Sequence, residues 1–181
     1  ILFETDFILT LWLKNVPDYT VPFVRLSFVG MLVTCLGTTG YTACLATGNI
    51  KKYTLWITLS GSLVFFLTWI AYYMGLSVVA TYWVYIFVYI IVQIIRLWIM
   101  KDLFGFPVML FIKDVLLKIS IPTILALISP TIIIYSMEPS LFRMFVTCLV
   151  SICIAGLCIF MIGLTKGERQ FFISKIKGII K

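Results

Sequence analysis

The sequence predicts an all-α fold, a polytopic bundle of transmembrane helices, and three observations carry that prediction. Of 181 residues, 62% are hydrophobic and only 12% are charged, with a mean hydropathy of +1.16. Soluble domains are about 45–50% apolar and about a quarter charged. These charged residues are too few and too clustered to coat a soluble exterior, whereas lipid needs no such coat. The apolar residues also fall into five runs of about 20 residues, the length an α-helix needs to cross about 30 Å of hydrocarbon. Histidine is absent, which removes the commonest general base and metal ligand and disfavours hydrolytic and metal-dependent chemistry.

Taken in order, residues 1–20 read as an outward-facing segment following the end of a preceding span. Ile1 opens inside an apolar run, so the chain reads as a piece of a longer protein. Glu4 and Asp6 stand where a secretory leader would be basic, which argues against a signal peptide. A membrane bundle over 21–164 follows, with predicted spans at 21–46, 53–74, 78–100, 115–137 and 141–164. Glycine, proline or charge marks each boundary: Thr47-Gly48-Asn49 with Lys51-Lys52, Gly75-Leu76-Ser77, Lys101 to Asp114, and Glu138-Pro139-Ser140. The fourth span carries Pro122 and Pro130, each of which removes a helix hydrogen bond and invites a bend. The apolar stretch Leu103 to Ile112 before it reads as an elbow helix along the interface. At the end, Thr165 and Glu168 match a capping box that opens an amphipathic tail over 165–181. There Phe172, Ile176, Ile179 and Ile180 suit acyl chains, while Lys175, Lys177 and Lys181 suit anionic headgroups. Membrane lipids are therefore an expected partner.

Five spans put the two ends of the chain on opposite sides. One side collects Lys51, Lys52, Arg96, Lys101, Lys113, Lys118, Lys166, Arg169, Lys175, Lys177 and Lys181; the other holds Lys14, Arg25 and Arg143. The positive-inside rule then predicts a cytoplasmic C-terminus. Trp12, Trp83, Trp98 and Tyr53 near span ends read as interfacial anchors. The net charge of +7 is accounted for by this placement, and no nucleic-acid-binding pattern is present.

Polar residues inside spans must be hydrogen-bonded or hydrated, so those recurring at helical spacing point to candidate sites. Gly30, Thr34, Gly37, Thr38 and Tyr41 line one face of the first span, and Thr54, Thr58, Gly61, Ser62 and Tyr72 lie close to one face of the second. In the third, Tyr82, Tyr85, Tyr89, Gln93 and Arg96 step by three and four residues along a single stripe. Small residues and hydroxyls suit either close helix packing or the wall of an aqueous cavity. Tyr85, Tyr89, Gln93 and Arg96 are the candidate substrate contacts, because a guanidinium holds a phosphate through paired hydrogen bonds and aromatic hydroxyls suit a sugar. Arg96 can equally snorkel to headgroups from its place near a span end.

Cys35, Cys44, Cys148, Cys153 and Cys158 all fall in spans without metal-ligand spacing and read as small apolar fillers. No phosphate-binding glycine loop, nucleophile elbow or intramembrane carboxylate pair is present, so no catalytic residue, metal or cofactor is expected.

Several segments resemble the C-terminal half of bacterial polysaccharide flippases, the Wzx-type transporters of lipopolysaccharide biosynthesis. They are Leu2 to Leu13 with Val16-Pro17-Asp18-Tyr19 and Arg25, Ala46 to Tyr53, Arg96-Leu97-Trp98, and Gly163 to Phe171. The resemblance covers essentially the whole chain. It implies the five final helices of the C-terminal lobe of a MATE-like flippase of the multidrug, oligosaccharidyl-lipid and polysaccharide exporter superfamily. It also implies alternating access, a polyprenyl-pyrophosphate-linked oligosaccharide as the passenger, the bacterial inner membrane as location, and the N-terminal lobe of the same chain as a partner. The alternatives are a multidrug exporter of that superfamily, a membrane-embedded glycan polymerase or acyltransferase, and a non-catalytic scaffold with its polar faces packed dry.

Overall fold

The computed structural model describes residues 2–48, 50–164 and 166–179, with the side chains of 39, 166, 172, 173 and 176–179 outside that description. The described residues are 83% helical and contain no strand. Five helical stretches are long and apolar enough to cross a membrane: Thr20–Ala46, Ile50–Tyr73, Ala80–Phe104, Val108–Ser136 and Leu141–Gly163. The chain is thus an all-α, multi-pass membrane protein. Its contacts divide it into two units, Glu4–Val108 together with Leu2, and a second from Met109 onward together with Phe3.

The first unit opens with α1 (Thr5–Trp12) and α2 (Thr20–Cys35). Arg25 on α2 ties them, its Nη2 donating to Asp6 Oδ2 at 2.6 Å and its Nε to the Leu2 carbonyl at 3.2 Å. The first span does not run unbroken. It stops at Leu36–Gly37 and resumes as α3 (Thr38–Ala46), because Gly37 N–H turns to the Thr34 carbonyl at 3.0 Å instead of reaching the residue four back.

α4 (Ile50–Tyr73) and α5 (Ala80–Phe104) form an antiparallel hairpin. Gly75 turns it with φ +77°, a left-handed backbone for which glycine carries no Cβ penalty. The Tyr72 and Thr81 hydroxyls bond across the turn, and a Lys52–Asp102 ion pair joins the opposite ends. Near that second end Cys44, Tyr53, Ile99 and Met100 form a buried cluster. Tyr53 therefore packs in the core instead of anchoring at an interface, since α3 lays Cys44 and Tyr41 against it. Trp12, Trp83 and Trp98 are exposed, as anchors require.

In the second unit α6 (Val108–Phe111) passes through a π-helical turn, Ile112–Leu116, straight into α7 (Leu117–Ser136), where a separate elbow was expected. Pro122 and Pro130 both lie inside α7. α7 pairs with α8 (Leu141–Cys158), which Ser140 caps by accepting from Arg143 N–H at 3.1 Å. A second π-helical turn, Ile159–Gly163, ends that span, and α9 (Lys166–Ile179) follows. Thr165, the first half of the expected capping box, and Lys181 and Ile180 of the tail lie outside the described residues.

Candidate functional site

The stripe predicted on the third span meets glycines on the first. A Cβ placed on Gly30 would come within 2.7 Å of Tyr85 Cε1, one on Gly37 within 1.1 Å of Arg96 Nη1, and one on Gly40 within 2.8 Å of Met100 Sδ. Large side chains of α5 thus sit directly on the bare backbone of α2 and α3, which is how transmembrane helices gain contact where no hydrophobic driving force separates them from lipid. Tyr85 and Tyr89 lie beside each other with ring centroids 4.3 Å apart.

The interruption at Leu36–Gly37 creates the polar centre of this interface. Because Gly37 N–H bonds to Thr34, the Val33 carbonyl loses its helical donor, and Gln93 Nε2 replaces it at 2.7 Å. The other end of the same amide, Gln93 Oε1, accepts from Arg96 Nη1 at 3.1 Å. Gln93 accordingly links a released backbone carbonyl to a guanidinium that occupies the space a side chain at Gly37 would need.

Arg96 is half-buried and takes no part in the ion pairs Arg25–Asp6, Lys52–Asp102 and Lys118–Asp114. Its guanidinium carbon lies 5.9 Å from the centre of the Tyr53 ring, a cation–π arrangement. The Tyr53 hydroxyl and Arg96 Nε are both shielded from solvent, and the guanidinium is the hydroxyl's hydrogen-bonding neighbour. Tyr53 was missed as a site residue in the sequence, where it stands as the first residue of the predicted second span and reads as an anchor.

The predicted stripe on α4 behaves differently. No atom stands within 4 Å of a Cβ built on Gly61, so among the described residues nothing packs there. Two grooves open along that face: one of about 500 Å³ bordered by Ser62, Phe65, Thr68, Trp69 and Thr81, and one of about 660 Å³ bordered by Lys51, Thr54 and Thr58.

In the tail, Lys175 is exposed with its ammonium 5.7 Å from the Phe171 ring centre, and Lys177 lies on α9. Arg169 Nη2 donates to the Met161 carbonyl at 2.5 Å, tying α9 to the π-helical end of the last span. Among the described residues, no three histidine, cysteine, aspartate or glutamate side chains gather as a metal site requires.

No family model, curated protein or solved structure matches the chain. Its chemistry must be read from the arrangement itself. That arrangement offers hydrogen-bond donors and a positive charge beside a break in a spanning helix, and so suits an acceptor-rich or anionic group.

Proposed function

We propose that this chain is the C-terminal part of an inner-membrane transporter that flips polyprenyl-pyrophosphate-linked oligosaccharide during surface-polysaccharide biosynthesis, without bond chemistry of its own. The observation that carries this reading is the interrupted first span, faced across its break by Gln93 and Arg96. The backbone stays right-handed there, but its hydrogen-bond ladder slips by one residue and frees a carbonyl for a neighbouring side chain, and discontinuous spans in transporters mark the place where charged groups are handled. A guanidinium without a carboxylate partner suits the pyrophosphate, and the two grooves along α4 give the glycan or the lipid tail a surface. In this reading the lysine-rich ends face the cytoplasm, with α9 along the inner leaflet.

The test is surface glycan in a bacterium whose own copy is deleted and replaced by variants at matched protein level. Arg96→Ala is expected to reduce the glycan at least tenfold, the loss of about 1.4 kcal/mol of transition-state stabilisation or more. Full glycan with Arg96→Ala sinks the role given to that residue. A reporter fused after Lys181 checks the orientation: periplasmic activity of alkaline phosphatase there contradicts it.

A second reading, a non-catalytic membrane scaffold, draws on the close packing of Tyr85 over Gly30 and of Gln93 onto Val33. It predicts that Arg96→Ala changes assembly or protein level and leaves export per molecule unaltered.

A further inference from the structure

α4 buries Tyr53, Ser60 and Ala71 on its packed side and carries a line of hydroxyls beside it. Thr54, Thr58, Ser62 and Tyr72 are exposed, with Gly61 and Thr68 partly so. At about 100° per residue all six fall within roughly 120° of the helix circumference. From Thr54 to Tyr72 the helix rises about 27 Å, close to the full thickness of the hydrocarbon. The stripe therefore runs across the membrane, with Lys51 in line at one end and the Tyr72–Thr81 hydroxyl pair at the other.

Its threonines also differ from the hydroxyls of other spans. On α7, Ser120, Thr123, Thr131 and Ser136 all donate to carbonyls of the turn before, which spares them an unmade bond in hydrocarbon. On α4, Ser62 does the same to Leu59 at 2.8 Å. Among the described residues, however, nothing bonds the Thr54 and Thr58 hydroxyls, and that of Thr68 is shielded without a partner. This face is built to meet something polar.

The two grooves lie end to end on it, about 660 Å³ beside Lys51, Thr54 and Thr58 and about 500 Å³ from Gly61 to Thr81. Where they meet, nothing stands within 4 Å of a Cβ built on Gly61. A second helix fits poorly, because close helix approach needs small residues along the contact, whereas Phe65 and Trp69, 74% and 66% exposed, rise within the stripe. A phospholipid headgroup fits by charge and chemistry: its phosphate suits Lys51, its oxygens accept from the threonines, and an ammonium suits the faces of Phe65 and Trp69.

We propose that this face of α4 is a track for phospholipid headgroups, so that the protein passively scrambles ordinary membrane phospholipid between leaflets. The headgroup enters at Lys51, passes from one hydroxyl to the next through the gap at Gly61, and leaves at Tyr72 and Thr81, while its acyl chains stay in the hydrocarbon. Each hydroxyl offsets part of the cost of carrying a charged group through the apolar core. The activity goes beyond the transport reading and does not rest on it, because the cargo is the bilayer's own lipid and neither Gln93 nor Arg96 borders the grooves.

The experiment reconstitutes the purified protein into vesicles of phosphatidylcholine and phosphatidylglycerol with a trace of phosphatidylcholine bearing a fluorescent acyl chain, and bleaches the dye from outside with dithionite. Bleaching is expected to run past the outer-leaflet share toward completion. Combined Thr54→Val, Thr58→Val and Thr68→Val keep the shape of each side chain on a face that packs nothing, and should slow the second phase by about tenfold or more, the loss of three hydrogen bonds to a charged group. Ser120→Ala removes a hydroxyl that bonds its own helix and should scramble at the parent rate. Thr58→Trp, which fills the first groove, should slow the second phase as the triple variant does, and serves alone if the triple variant does not reconstitute.

Bleaching that stops at the outer-leaflet share overturns the track, as does a parent rate in both the triple variant and Thr58→Trp. Equal bleaching of a water-soluble dye trapped inside the vesicles would reveal a pore and overturn it too. Disulfide cross-linking of two copies through Thr58→Cys, in a protein whose own cysteines are alanine, would show a second copy on the face in place of lipid. Glycan export that survives Arg96→Ala sinks the transport role without touching this readout, so the two failures are distinguishable.

Discussion

Gly37→Ala tests the reasoning at its tightest point. The new Cβ would stand 1.1 Å from Arg96 Nη1, 2.3 Å from Arg96 Cζ and 2.5 Å from Gln93 Oε1, so both side-chain ends must swing aside. The guanidinium must leave the notch, and Gln93 must shift with it. Losing the Arg96–Gln93 bond and straining the Gln93–Val33 bond cost about 1 kcal/mol each, with little added strain because the displaced atoms end flexible side chains. Against this, alanine restricts the unfolded chain and recovers up to about 1 kcal/mol, since Gly37 has φ −96° and needs no left-handed backbone. The net expectation is a loss of about 1–2 kcal/mol, or roughly 2–8 °C in melting temperature for a chain of this size. Thermal unfolding in detergent, followed by the fraction remaining monodisperse, measures it. Gly61→Ala is the control: with nothing within 4 Å of the added methyl inside α4, helix propensity alone predicts a gain of up to about 1 kcal/mol. Should Gly37→Ala melt at or above the parent, Arg96 does not occupy the notch and the packing account of the stripe fails.

Three further outcomes are expected. Gly75→Ala forces a Cβ into the left-handed region at φ +77° and should cost about 1–2 kcal/mol, visible as a lower melting temperature that Gly75→Asn partly restores. Asp102→Asn breaks the ion pair with Lys52, whose side chains are 40% and 51% exposed; the loss should be under about 1 kcal/mol and should vanish in high salt, so a larger, salt-independent loss would mean the pair is shielded in the bilayer. Ser140→Ala removes the cap of α8 and should cost about 1 kcal/mol, with Ser140→Asp retaining most of the stability; equal melting of the alanine variant and the parent would show that the cap contributes nothing.

The spans were legible in the sequence because length and apolarity alone decide whether a helix can sit in lipid, and neither depends on what the helix touches. The break at Leu36–Gly37 was not, because every residue from Leu26 to Ala46 is acceptable in a membrane helix and the interruption rests on where one N–H turns. Its trace lies in pairing between spans. Gly30, Gly37 and Gly40 are bare where Tyr85, Arg96 and Met100 are large, and either row read alone is only a stripe. The candidate contacts Tyr85, Tyr89, Gln93 and Arg96 were visible for the same reason that their surroundings were not: helical spacing puts four side chains on one face, but says nothing of the face they meet. Tyr53 shows the cost most clearly. Near a span end a tyrosine reads as an interfacial anchor, and only Cys44 and Tyr41 of α3, with Ile99 and Met100 of α5, bury its ring and set its hydroxyl beside Arg96. The break, the glycine notch and the Gln93 bond to Val33 are therefore one feature, and a substitution that heals the break should abolish all three together.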